Sequence, residues 1–169
     1  MLTLDELPVE AVIMSAQYSL RTYYDDGSQV CHSNNGVSPS VVSTDPQAKK
    51  CALCFNNQWG SRITPNGKRG KRCSEYNKLT LRQLNYPHIV LSLRVPSASL
   101  KAFRAFEKQI TSRGEQLNRV VTKIDTTHDQ RRTLTFRVIR FLDADELDDL
   151  TQPTPQAASS FPDTDGYIN

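Results

Sequence analysis

No stretch of this chain is apolar enough for long enough to span a bilayer, and no segment repeats. The opening residues Met1-Leu-Thr-Leu-Asp5-Glu6 do not make a signal peptide. These absences predict a cytoplasmic chain with reduced cysteines. Histidine is scarce: only His32, His88 and His128, none followed by x-Glu, so the His-x-Glu motif of a zinc deaminase is missing. His88 and His128 lie apart, which argues against a zinc nuclease. There is also no clear helix-turn-helix for reading duplex DNA. Lys and Arg are absent from residues 143–169, which hold seven acids. Residues 1–142 therefore carry 21 basic and 11 acidic side chains, a formal +10. A basic body with an acidic tail fits a polyanion-binding surface that has an internal competitor.

Against this background one block stands out. Lys49-Lys50-Cys51-Ala-Leu-Cys54-Phe-Asn-Asn-Gln-Trp59-Gly-Ser-Arg62 runs on through Lys68-Arg69-Gly-Lys71-Arg72 to Cys73. It holds three of the four cysteines and the only tryptophan. Cys51 and Cys54 form a C-x-x-C pair; Cys31 lies 20 residues before it and Cys73 19 residues after Cys54. That order predicts a structural zinc site with Cys31, Cys51, Cys54 and Cys73 as ligands, His32 being the substitute for Cys31. A redox C-x-x-C is disfavoured because no βαβ pattern surrounds it, and disulfides because no export signal precedes it. Four thiolates would close the coordination sphere and leave no place for water, so the chain is expected not to be an enzyme.

The remaining pattern is mainly β. Val9–Met14 and Tyr18–Tyr24 read as strands, or as one continued strand, and Asp25-Asp26-Gly27-Ser28 as a hairpin turn. Residues 33–50 are loop-rich, so a metal would supply the folding free energy that their few apolar groups do not. Thr64-Pro65-Asn66-Gly67 is a turn, and Leu79–Leu84 fits a strand and a short helix equally. Leu91, Leu93 and Val95 alternate as a strand, and residues 97–113 form the best helix. Ser97 and Ser99 are its candidate caps, and Leu100, Phe103, Phe106 and Ile110 its apolar face. Residues 120–124 and 134–141 are two more strands. A five-stranded OB-fold-like barrel, with one helix between the third and fourth strands and a zinc-binding loop inserted at 31–73, gives this order, as does an α+β sandwich with the same insertion. The domain is expected to span 1–142. Residues 143–169 have the composition of a disordered acidic tail, with a helical turn over 145–150.

An OB-type sheet binds single strands with cations along the backbone and aromatic rings under the bases. The candidates are Tyr23, Tyr24, Phe55, Trp59 and Tyr76 for stacking, and Arg62, Lys68, Arg69, Lys71, Arg72, Arg94, Arg137 and Arg140 for charge. Trp59 fits equally well as a ring packed over the metal knuckle. Only one of Tyr23 and Tyr24 can face the core of a strand.

Cys31-x-Ser33-Asn-x-Gly36, then Cys51-x-x-Cys54-x-Asn56-x-x-Trp59-Gly60-Ser61, then Gly70-Lys71-x-Cys73, together with Leu93-Arg-Val95-Pro-x-x-Ser99 and Leu134-Thr-Phe136, resemble a family of phage and prophage zinc-containing proteins. The resemblance covers roughly residues 12–142. It implies cysteine-bound zinc and single-stranded-DNA binding in phage replication or recombination, in the cytoplasm of the host cell. The acidic tail, through Phe161, Tyr167 and Ile168, would recruit replication or recombination proteins and compete with DNA; self-association is a further expectation. The competing expectation is a zinc-ribbon module that docks on host replication or transcription machinery.

Overall fold

The computed structural model describes residues 1–127 and 132–151. His128 and the candidate partner residues Phe161, Tyr167 and Ile168 lie outside them. The fold is mainly β, built around one large antiparallel sheet.

The two N-terminal apolar runs form a single strand, β1 (Val9–Asp25). Its register shifts between Ile13 and Ser15 and again between Gln17 and Leu20, where Ser19 takes a left-handed φ of 57°. Such bulges bend a strand and let it change partners. The Asp-Gly signal forms the expected tight hairpin: Asp26 and Gly27 both have positive φ, and β2 (Ser28–Ser33) returns along the far end of β1. The short pair β3 (Arg62–Ile63) and β4 (Arg69–Gly70) lies inside the cysteine element. The segment that fitted strand and helix equally belongs to a strand, β5 (Ser74–Gln83), which pairs with both β1 and β6 (Tyr86–Pro96). The helix α1 (Leu100–Thr111) follows, then β7 (Val120–Thr126), β8 (Leu134–Phe141) and a second helix, α2 (Ala144–Thr151).

The sheet runs β6-β5-β1-β7-β8, with β2 on β1 as a sixth strand. Among the described residues β6 and β8 do not pair, so the sheet is open where a closed barrel was expected. The helix α1 contacts both of these edge strands. Leu100, Phe103, Phe106 and Ile110 are buried as predicted. Phe103 and Phe106 meet Phe136 of β8 with ring centroids 5.2 Å and 5.8 Å apart. The aromatic face of the helix packs on β8, and the helix contacts the other edge strand, β6, as well. Neither serine caps it: Ser99 Oγ accepts a hydrogen bond from the Leu134 amide at 2.9 Å, and Ser97 Oγ donates to the Glu75 carbonyl. Both hydroxyls tie the helix start to strands.

Strand pairing sorts the side chains onto two faces. Ile13↔Leu81, Leu79↔Leu93 and Ile124↔Phe136 face α1 and the main core. Val12↔Arg82, Lys78↔Arg94, Thr80↔Ser92, Val12↔Val121, Lys123↔Arg137 and Val121↔Arg140 occupy the outer face. The outer face therefore carries six cations, including Arg94, Arg137 and Arg140.

The acidic helix α2 sits on that outer face. Its Leu150 is buried with Val12 and Val121, and Leu150 O accepts a hydrogen bond from Arg82 Nη1 at 2.7 Å. The Glu146 carboxylate is clasped by both terminal nitrogens of Arg140, at 2.7 and 2.5 Å. Asp143 Oδ1 accepts from the Glu146 amide while Glu146 Oε2 accepts from the Asp143 amide, a reciprocal cap that starts the helix. The first part of the expected tail is therefore a docked helix.

Candidate metal centre and nucleic-acid interface

Residues 34–73 have little apolar material, and polar side chains shape their path. Ser33 Oγ accepts from the Gly36 amide at 3.0 Å and donates to the Ser38 carbonyl at 2.6 Å, while Asn35 Oδ1 accepts from the Val37 and Ser38 amides. Such bonds replace the ladder of regular structure. Gly36 has φ +70°, and a Cβ there would lie 2.5 Å from the Ser19 carbonyl oxygen. The loop therefore packs against the β1 bulge only because residue 36 has no side chain.

The C-x-x-C pair folds as two successive 3₁₀ turns, Cys51–Leu53 and Phe55–Asn57. The Cys54 amide donates to Cys51 O at 3.3 Å and the Asn57 amide to Cys54 O at 3.0 Å. The Cys73 amide donates to Asn56 O at 2.8 Å, bringing the fourth cysteine back to the knuckle. The Cys51 amide donates to Val37 O at 2.8 Å, and Cys31 arrives on β2 opposite Tyr23.

All four cysteines line one small cavity of about 20 Å³, together with His32, Arg21, Tyr23 and Asn57. All four are free thiols; Cys51 and Cys54 are buried, Cys31 and Cys73 half-buried. Among the described residues no three His, Cys, Asp or Glu side chains are gathered as a metal-holding group. The thiols share a cavity without being drawn into a coordination cluster. Electrostatics also links them. Burial pushes the Cys73 thiol up to about 11, Arg21 opposes that rise, and the other three cysteines add to it. Four soft sulfur donors are the set that a tetrahedral cation such as zinc accepts, and its binding would draw them closer and displace the thiol protons. His32 also lines the cavity, with Nδ1 3.5 Å from Ser43 Oγ.

The stacking candidates divide. Trp59 is 73% exposed and Phe55 70% exposed, so Trp59 does not pack over the knuckle as a small core. Tyr24 is exposed, whereas Tyr23 is 8% exposed and lines the cysteine cavity, which removes it from any open stacking surface. Tyr76 lies beneath Arg94, whose guanidinium carbon is 3.8 Å from the ring centroid. This cation–π contact holds the two as a unit on the outer sheet face.

Arg62, Lys68, Arg69, Lys71 and Arg72 are exposed on the cysteine element, and none forms an ion pair with another described residue. Lys71 Nζ donates to Asn57 Oδ1 at 3.2 Å. Arg137 is exposed on the outer face, and Arg140 there is held by Glu146. The sequence reading missed Lys78, Arg82 and Lys123 on the same face. Their signal was the alternation of β5 and β7, legible only once β5 is a strand. It also missed Leu53 and Ile63, exposed apolar residues of the cysteine element.

No helix among the described residues is long and apolar enough to cross a membrane. Compared with protein-family models, curated proteins and solved structures, the chain matches none.

Proposed function

We propose that this chain binds single-stranded DNA without catalysing a reaction, in phage DNA replication or recombination. The observation that carries this reading is the surface of the cysteine element. Bare rings, Trp59 and Phe55, stand on the same short segment as five cations that no acid among the described residues neutralises. Base stacking and phosphate contact need this combination, and a protein left alone in water gains little from it. The outer sheet face adds the Tyr76–Arg94 unit, Lys78, Lys123 and Arg137.

The order β6-β5-β1-β7-β8, with a helix between β6 and β7, supports an OB-fold-like reading in which the closing ladder is absent. Cys31, Cys51, Cys54 and Cys73 would hold a structural zinc. Bound zinc would supply cross-linking alone, fixing the loops that carry Trp59 and the cations. The acidic segment from 143 onward, with Phe161, Tyr167 and Ile168, would compete for the cationic surface and recruit replication or recombination proteins.

The test is gel-shift titration of the full chain with single-stranded and duplex oligonucleotides of one sequence. Wild-type protein should prefer the single strand. Trp59→Ala should weaken that binding by about 1–3 kcal/mol. Arg69→Gln with Arg72→Gln should weaken it and flatten its salt dependence by about 0.7 for each phosphate no longer neutralised. Equal affinity for both forms, or indifference to all three changes, would contradict the reading. No binding at all would favour a zinc-ribbon docking module, for which exposed Leu53, Phe55 and Ile63 supply an apolar patch.

A further inference from the structure

The cysteine cavity contains an unexplained cation. Arg21 reaches it from β1, and among the described lining residues it is the only lysine or arginine. Its side chain is 16% exposed. Nη1 donates to Asn57 Oδ1 at 2.8 Å; Nη2 lies 3.6 Å from Glu75 Oε2. Nε is buried with no hydrogen-bond partner. Glu75 is shared, because its other oxygen is closer to Arg104, at 3.1 Å. This largely buried guanidinium therefore has one donor unused and a single ion-pair partner that it shares with Arg104.

Besides the four thiols, no carboxylate of a described residue lines the cavity. A dication held by four thiolates has a net charge of −2, which is costly in such a setting unless a cation stands beside it. We propose that Arg21 is the counter-ion and positioning residue of the thiolate centre. Its charge offsets the excess negative charge of the metal-bound thiolates, and its free Nε–H is the donor available to them. Asn57 couples this cation to the knuckle, since its Nδ2 donates to Cys51 O at 2.8 Å while its Oδ1 holds Arg21. The unused Nε donor of Arg21 and the counter-charge that the metal centre needs are then one feature. This inference rests on the zinc reading above.

The experiment follows zinc content, and zinc transfer to a chromophoric chelator, in the purified full chain. Arg21→Gln keeps a polar side chain without the charge; Arg21→Lys keeps the charge. Arg21→Gln should release zinc about 10- to 100-fold faster than wild type, as loss of a residue supporting metal ligands does. Arg21→Lys should stay close to wild type. Cobalt substituted for zinc should keep its thiolate charge-transfer bands in both variants, with their positions moved in Arg21→Gln alone. Glu75→Gln, which removes the competing carboxylate, should slow release, and it decides the matter if Arg21→Gln does not fold. Release from Arg21→Gln at the wild-type rate overturns the proposal. So does equally fast release from Arg21→Lys, which would make Arg21 only a strut to Asn57, and so does unchanged or faster release from Glu75→Gln. Wild-type protein without zinc and with four reactive thiols would instead overturn the zinc reading itself, and this inference with it.

Discussion

At the scale of single residues, neighbours in sequence have opposite fates. Tyr23 is buried at the cysteine cavity while Tyr24 is exposed, the alternation a strand imposes. That one of them turns inward was legible; which one depended on where β2 and the cysteine loops settle. Gly36 is the sharper case. Its positive φ and its closeness to the Ser19 carbonyl predict that Gly36→Ala destabilises the fold by about 1–3 kcal/mol. Denaturant unfolding should show a lower midpoint, and the four cysteines should react faster with a thiol reagent. An unchanged midpoint and unchanged thiol reactivity would mean that the loop does not need this close approach.

At the scale of elements, the periodic segments were readable and the partnerships were not. The helix face Leu100, Phe103, Phe106 and Ile110 followed from a 3.6-residue period, and the inward side of β8 from a two-residue period. Leu79, Leu81 and Leu84 fit both periods, so β5 emerged only from its pairing with β1 and β6. The docking of α2 depends on contacts between positions far apart in sequence, Arg82 with Leu150 and Val12 with Leu150. Composition alone reads Asp143 to Asp149 as solvated. The clasp on Arg140 has a pH consequence. The Arg140 guanidinium, helped by the Asp143 amide, holds Glu146 down at about 2, below the ordinary value of 4.5. A carboxylate depressed in the folded state stabilises above its ordinary value and loses that contribution as pH falls toward its folded value. Amide protection of α2 should therefore be constant above about pH 5 and decline between pH 4.5 and 2. In Glu146→Gln this decline should be missing, leaving a weaker, pH-independent dock on Leu150. An identical decline in both proteins would exclude the clasp as its origin.

The cysteine element behaves as a second unit at this scale. Its order rests on polar side-chain bonds and, in the zinc reading, on the metal, whereas the sheet has its own core around Phe103, Ile13 and Leu93. Metal removal by a chelator should therefore raise amide exchange across residues 31–73 while leaving β5, β6 and α1 protected. Uniform loss of protection through the sheet would show instead that the two units fold together.

At the scale of the whole molecule, charge is arranged by face. Cations occupy the cysteine element and the outer face of the sheet, and the acidic helix α2 covers part of that outer face. The sequence disclosed the totals, a basic body and an acidic end, because those are sums over composition. It did not disclose that a helix holds Glu146 on Arg140, nor that the sheet stays open with α1 packed against both edge strands, because both depend on contacts that only the folded chain makes. The cysteine spacing was the exception: Cys31, Cys51, Cys54 and Cys73 were named together from their intervals and line one cavity.

The central claim is that the exposed Trp59 ring meets bases while nearby cations meet phosphates. Titration of its intrinsic fluorescence tests this directly, because the chain has one tryptophan. Single-stranded oligonucleotide should quench it strongly and duplex weakly, with the apparent affinity falling steeply as salt rises. Fluorescence unmoved by the single strand at low salt, in the full chain and in a chain ending at residue 142, would contradict the account.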